Sequence, residues 1–299
     1  PGAGRSIPAL VLAAGGLATA WLASHLDVVS VGAAVTGLAV FWGLLQASVV
    51  RGGALLPIGA DVGRLWTGLL IGPREGAVDV SGPPDPFGVV VALLGSLTAW
   101  NPSFSLVLLW LTALPMAALG AWWCATRLSE RRWPPAVAAL LWTFPPPLLA
   151  ALVDGRPAAV LVHLALPWLI LTGIEARRSW SAAAGASLLL ALVVACSPVL
   201  APALVTAAVV WAAVNPRAIP RILCTLIPAA VLAAPLVLWQ VSRGAPLGLF
   251  ADPGPALPSE RASGWLMLLG HPSAPDDRWG GIGQALGVPL GTLAPAVLL

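Results

Sequence analysis

The 299-residue sequence contains no lysine and no tyrosine, and only 9% of its residues are charged. An ordinary soluble domain carries ~25%. With 59% hydrophobic residues and a mean hydropathy of +0.91, a soluble domain of this length could not cover its apolar surface, because its outside must be largely polar or charged. The shortage of charge excludes a cytosolic globular enzyme, a disordered chain and a disulfide scaffold. It leaves a polytopic membrane protein. Cysteine is also scarce. Cys124, Cys196 and Cys224 sit in apolar runs and form neither a CxxC pair nor a metal-ligand spacing. They read as small core hydrophobes. The net charge of +3 is too small and too scattered for a nucleic-acid partner.

All 15 basic residues are arginine, which together with abundant alanine points to a bacterial genome of high G+C content. The chain opens at Pro1 and stops at Leu299 inside an apolar run. The expectation is a fragment of a longer protein.

A membrane-crossing helix needs ~20 mostly apolar residues. The expected fold class is all-α, a polytopic transmembrane bundle forming a single domain over 1–299. About nine spans are expected, at 7–24, 30–49, 104–125, 136–153, 157–174, 180–196, 198–214, 219–240 and 283–299. The run 88–99 is too short to cross and reads as a half-helix packed on protein.

Three short arginine-bearing loops orient the set: Arg127, Arg131 and Arg132; Arg177 and Arg178; Arg217 and Arg221. The positive-inside rule places them in the cytoplasm. Two spans separate each from the next, so Asp154-Gly155-Arg156 and Ser197-Pro198 fall outside. The long loop 241–282 falls outside as well. Loop 50–87 is net acidic, which also favours the outside, whereas Arg5 favours an inside start. Trp100, Trp122, Trp123, Trp133, Trp180, Trp211 and Trp239 lie near span ends, as interfacial anchors do.

Between the span ends, His163 is the clear ionisable side chain. Carriers and proton pumps mark their pathways with intramembrane charge. Chemistry is therefore expected in the external loops and at the external span ends. Val62, Leu65, Trp66 and Leu69 fall at i, i+3, i+4 and i+7, predicting a short interfacial amphipathic helix. Asp61 and Arg64 lie off that stripe. Asp61 is either its N-cap or a carboxylate acting as general base on an acceptor hydroxyl. Asp85 precedes Pro86, as an N-cap before proline at the first helical position, or it is a second external carboxylate.

Arg156 and His163 stand seven residues apart on one helical face, ~10 Å along the axis. An arginine at the membrane surface with a histidine below it could hold a lipid phosphate. Alternatively, Arg156 snorkels to headgroups and His163 packs with a hydrogen bond. The cluster Asp276-Asp277-Arg278 reads as solvated loop, without DxD spacing. No metal-ligand cluster is visible.

The stretches GGALLPIGADVGRLW, DPFGVVVALLGSLTAWNPSFSLVLLWLTALPMAALGAWWCATRLSERRWPPAVAALLW and DGRPAAVLVHLALPW resemble the membrane region of large actinobacterial family 2 glycosyltransferases. The resemblance covers roughly residues 50–270. In that family a cytoplasmic GT-A domain precedes many transmembrane helices, whose outline is similar to that of GT-C enzymes. The resemblance implies a GT-C-like bundle in the bacterial cytoplasmic membrane. It implies a role in envelope polysaccharide or glycolipid assembly, using a polyprenyl-phosphate-linked sugar and an envelope glycan acceptor among membrane lipids.

GT-C enzymes place an acidic residue in an early external loop, which Asp61 matches best and Asp85 second. The expected substrate-binding residues are Arg64, Asp154, Arg156 and His163. No cofactor is expected from these residues. A divalent metal would belong to a GT-A domain, and this chain has neither that domain nor a DxD motif. The alternatives are a lipid or polysaccharide transporter or flippase, and a non-catalytic membrane scaffold.

Overall fold

The computed structural model describes residues 54–59, 61–69, 81–131, 133–244 and 246–250, with Gly32, Leu44, 47–50, 72–73 and Pro253. The fold is helical, apart from a two-residue antiparallel pair, β1 (Gly72–Pro73) with β2 (Ser81–Gly82). The helices are α1 (Val62–Thr67), α2 (Pro86–Leu97), α3 (Phe104–Leu128), α4 (Trp133–Thr143), α5 (Pro146–Val153), α6 (Pro157–Ala176), α7 (Trp180–Cys196), α8 (Ala201–Val214) and α9 (Ile219–Ser242). They fall into two compact units, one built on Leu106–Arg156 and the other on Pro57–Ser105 with Pro157–Pro255.

Four stretches are long and apolar enough to cross a membrane: α3, α4 with α5, α6, and Pro216–Ser242 containing α9. This composition is that of a membrane protein. α7 and α8 qualify only as a pair, bent by 119° between Cys196 and Pro198. The described residues thus hold four or five candidate spans, and the expected count of about nine is not confirmed. Three of the nine, at 7–24, 30–49 and 283–299, lie outside the described residues.

The other change falls at 180–196 and 198–214. α7 has 17 residues and α8 has 14. At 1.5 Å per residue these are ~25 Å and ~21 Å long, short of a hydrocarbon layer ~30 Å thick. The break comes from Pro198, whose ring pushes the preceding residue out of the helical region. Ser197 accordingly has φ −146° and ψ 83°.

In the first unit, α3 runs antiparallel to the α4–α5 stretch. The Trp110 indole, early in α3, donates to the Leu152 carbonyl at the end of α5 (3.1 Å). Further along α3, Ala118 and Trp122 pack on Ala139 of α4. α4 ends at Phe144-Pro145-Pro146-Pro147, where Pro145 is extended (φ −74°, ψ 145°) and Pro146 opens α5. Consecutive prolines offer no backbone donors, so an α-helix cannot pass through them unbroken.

In the second unit, α7 packs against both α6 and α9. Its core joins Ala158, Val162 and Ala165 of α6 with Val193, Ala195 and Cys196 of α7 and Val90 of α2. The α6 residues recur at i, i+4 and i+7, and their small size lets the helices approach closely. Both open ends of the α7–α8 bend lie near the start of α9, because Trp180 stacks with Arg221 and Val214 leads through Pro216–Ala218 into Ile219. The apex at Cys196 and Leu200 sits at the other end, packed with Phe87, Val90 and Ala158.

The half-helix expected at 88–99 is α2, a 12-residue helix. Leu65, Trp66 and Leu69 of the expected stripe meet α2 or the residues around it, with Trp66 still 42% exposed. The Trp66 indole donates to Ser96 Oγ (3.1 Å), which donates to the Ala92 carbonyl (2.7 Å). A Cβ on Gly95 would stand 2.7 Å from Leu65 Cδ1, 3.2 Å from Pro102 Cβ and 3.5 Å from Ile58 Cγ2. A Cβ on Gly88 would stand 3.0 Å from Leu69 Cδ2. α1 therefore runs antiparallel to α2. Buried Ser103 ties the segment before α1 to the start of α3 by donating to the Ile58 carbonyl (2.6 Å).

Gly95→Val should lower stability by about 2 kcal/mol, since the branch meets the rigid Pro102 ring as well as Leu65. Adding Leu65→Ala should recover part of that loss in denaturant titrations of the detergent-solubilised protein. Additive losses would mean that the close approach is not the cause.

Candidate functional site

The structure divides the residues singled out from sequence among three places. Asp61 caps α1: its Oδ1 accepts from the Gly63 amide (2.9 Å). Arg64 stands one turn on, and both side chains are exposed. They form no ion pair with each other. Asp85 caps α2: its Oδ1 accepts from the Phe87 amide (2.9 Å), with Pro86 at the first helical position.

Both carboxylates thus serve as helix caps, which satisfies an amide that the helix itself cannot. They do not form a pair. Leu65 lies beside Gly95 and Leu69 beside Gly88, so Asp61 belongs to the C-terminal end of α2 and Asp85 to its N-terminal end. At 1.5 Å per residue these ends are about 15 Å apart. Because α1 and α2 pack antiparallel, Asp61 and Asp85, the second external carboxylate expected near the site, stand at opposite ends of α2.

Asp154, Gly155 and Arg156 form the tightest construction among these residues. α5 ends in a Schellman turn. Gly155 takes φ 68°, where a Cβ would be strained. The Arg156 amide reaches back to the Ala151 carbonyl (2.8 Å), and the Asp154 amide to Ala150 (2.8 Å). Trp110 takes the Leu152 carbonyl, and the Ala54 amide donates to the Asp154 carbonyl (2.8 Å). The orphan carbonyls of the last turn are thus satisfied by the turn itself and by α3.

On this frame Arg156 Nε lies 3.8 Å from Asp154 Oδ2. That is an ion pair without a hydrogen bond. Nε is enclosed and has no acceptor among the described residues, although the arginine side chain as a whole is 38% exposed. A partly exposed pair of this kind contributes about 1 kcal/mol at most. The guanidinium can therefore still accept a better anion. His163 lies two turns into α6, half-buried and engaged in an interaction of its own.

Asp276, Asp277 and Arg278 lie outside the described residues. Among the described residues, no three of His, Cys, Asp and Glu converge as a metal site requires.

Two features escaped the sequence reading. One is Trp110 as the donor that closes the α5 turn. An indole in the middle of an apolar run is a signal that a partner is near, since buried Trp N–H groups usually find one. The other is the set around Arg221, where Nη1 donates to the Arg177 carbonyl (2.6 Å) and the guanidinium stacks on Trp180 (5.2 Å). Nothing in the local pattern foretells which loop arginine reaches across.

Gly155→Ala should cost about 1 kcal/mol through the left-handed backbone, and Trp110→Phe about 1 kcal/mol by stranding the Leu152 carbonyl. Asp85→Ala should lose ~1 kcal/mol while Asp85→Asn, which keeps the cap, loses only a few tenths. Thermal unfolding in detergent reads all three. Compared with protein-family models, curated proteins and solved structures, the chain matches none.

Proposed function

We propose that this chain is the membrane part of a glycosyltransferase that takes sugar from a polyprenyl-phosphate carrier for envelope polysaccharide or glycolipid assembly. One observation carries the reading beyond the sequence resemblance: Arg156 is held at a rigid turn with an enclosed Nε lacking an acceptor among the described residues. A guanidinium on a fixed backbone at a helix junction, held only by a weak ion pair, suits a phosphate leaving group because its donors can turn to the developing charge.

Asp61 is the base in this scheme. It takes the proton of the acceptor hydroxyl as that oxygen attacks the anomeric carbon, and the bond from that carbon to the lipid phosphate breaks, the phosphate leaving as an anion. Arg64 and His163 would contact the sugar-phosphate. The α7–α8 bend favours a second reading, a lipid-linked-glycan translocase, since broken apolar helices recur at carrier binding sites.

Asp61→Asn separates these readings from a purely structural role. Asparagine still accepts from the Gly63 amide, so the helix cap survives. Transfer from a radiolabelled polyprenyl-phosphate sugar in membrane vesicles should fall by at least about 100-fold, the usual share of a general base. Arg156→Gln should lower transfer to a similar degree. Undiminished transfer by Asp61→Asn would remove it from the chemistry. Wild-type vesicles that flip the lipid-linked sugar without transferring it would favour the translocase.

A further inference from the structure

The arginine-bearing ends of α6, α7 and α9 converge in the second unit. Arg177 and Arg178 follow α6, Trp180 opens α7, and Arg217 and Arg221 flank the start of α9. Arg221 is fixed from two sides, by the Arg177 carbonyl at 2.6 Å and by the Trp180 ring at 5.2 Å. Its Nε is enclosed and has no acceptor among the described residues. Arg178 and Arg217 are exposed, and Arg177 is half-buried.

Among the described residues, none of these four arginines lies within salt-bridge distance of a carboxylate. The acidic side chain at this end is Glu175, which is exposed. Its backbone carbonyl, not its carboxylate, accepts from the Arg178 and Ser179 amides. Four arginines against one exposed carboxylate that pairs with none of them leave an excess of positive charge, which an anion from outside relieves.

The surroundings say which anion. Trp180 is 57% exposed, Leu223 57% and Ile219 39%. An exposed indole beside exposed aliphatic side chains, at the end of apolar helices, belongs at the level of lipid headgroups. A free ion would meet no use for that apolar rim, whereas a phospholipid presents phosphate and acyl chain together.

We propose that Arg177, Arg178, Arg217 and Arg221, with Trp180, form a binding site for the headgroup of an anionic phospholipid. The phosphodiester accepts hydrogen bonds from the guanidinium groups and the acyl chains run along Leu223. Trp180 and the Arg177 carbonyl hold Arg221 in place, so less side-chain freedom is lost on binding. The site is independent of sugar transfer and of Asp61 and Arg156.

The test uses the purified full chain, delipidated in detergent, with lipid retention read by native mass spectrometry. Phosphatidylglycerol should be retained in preference to phosphatidylcholine of the same acyl chains. The double variant Arg178→Gln/Arg217→Gln alters two exposed side chains, so it should fold, and it should weaken phosphatidylglycerol retention by about fivefold for each arginine. Arg243→Gln, at the opposite end of α9, should leave retention unchanged. Equal retention of the two lipids, undiminished retention in the double variant, or an equal loss in Arg243→Gln would overturn the proposal. Displacement of phosphatidylglycerol by an equal concentration of inorganic phosphate would assign the arginines to a free anion instead and overturn the lipid site.

Discussion

Each proline inside an apolar helix removes a backbone donor, and the carbonyl it strands cannot turn to water inside a bilayer. Pro115, Pro167, Pro228 and Pro235 all sit within helices, and the Pro145–Pro147 run divides α4 from α5. Much of the architecture answers that constraint. Where several prolines meet, the chain ends one helix and starts another, with proline at the new first position where no donor is missed. Where a helix must stop, the last carbonyls are taken up one by one, by the Arg156 amide, the Asp154 amide and the Trp110 indole. The Asp154-Gly155-Arg156 turn is a consequence of this accounting.

The same accounting explains the polar side chains that sit in apolar surroundings. Ser103 serves the Ile58 carbonyl, Thr143 that of Ala139, and Ser96 that of Ala92 while receiving Trp66. These are short hydroxyls bonding to backbone, the arrangement that spares a buried hydroxyl its desolvation penalty. The ionisable groups are managed differently. Among the described residues, three arginines near helix ends meet tryptophan: Arg127 with Trp123, Arg221 with Trp180 and Arg243 with Trp239. The ring shields one face of each guanidinium while leaving its charge available to headgroups.

Much of the fold was legible in particular residues. The apolar runs at 104–125, 136–153, 157–174 and 219–240 became helices, and 88–99 became the short helix α2. The caps at Asp61 and Asp85 followed from position alone. The bend at Ser197-Pro198 was legible as a turn but not as an angle. Hydropathy reports whether a segment tolerates hydrocarbon, not whether it crosses. The amphipathic stripe of α1 was legible as apolar, yet its partner was not, because a membrane surface and the face of α2 satisfy the same stripe equally well.

What the sequence by itself determined is chemical class and local geometry. A chain so poor in charge needs an apolar solvent, and its Pro, Gly, Ser and Asp residues mark where helices begin, break and end. These are short-range effects, fixed by steric clashes and hydrogen bonds within a few residues. Only the tertiary structure decided which ends meet. It separated Asp61 from Asp85 by running α1 against α2. It brought Trp110 to the Asp154-Gly155-Arg156 turn across 42 residues. It also seated Arg221 on Trp180 and on the Arg177 carbonyl, 44 residues away. Such meetings depend on how helices pack, and packing depends on shape complementarity between distant segments, which no local pattern encodes.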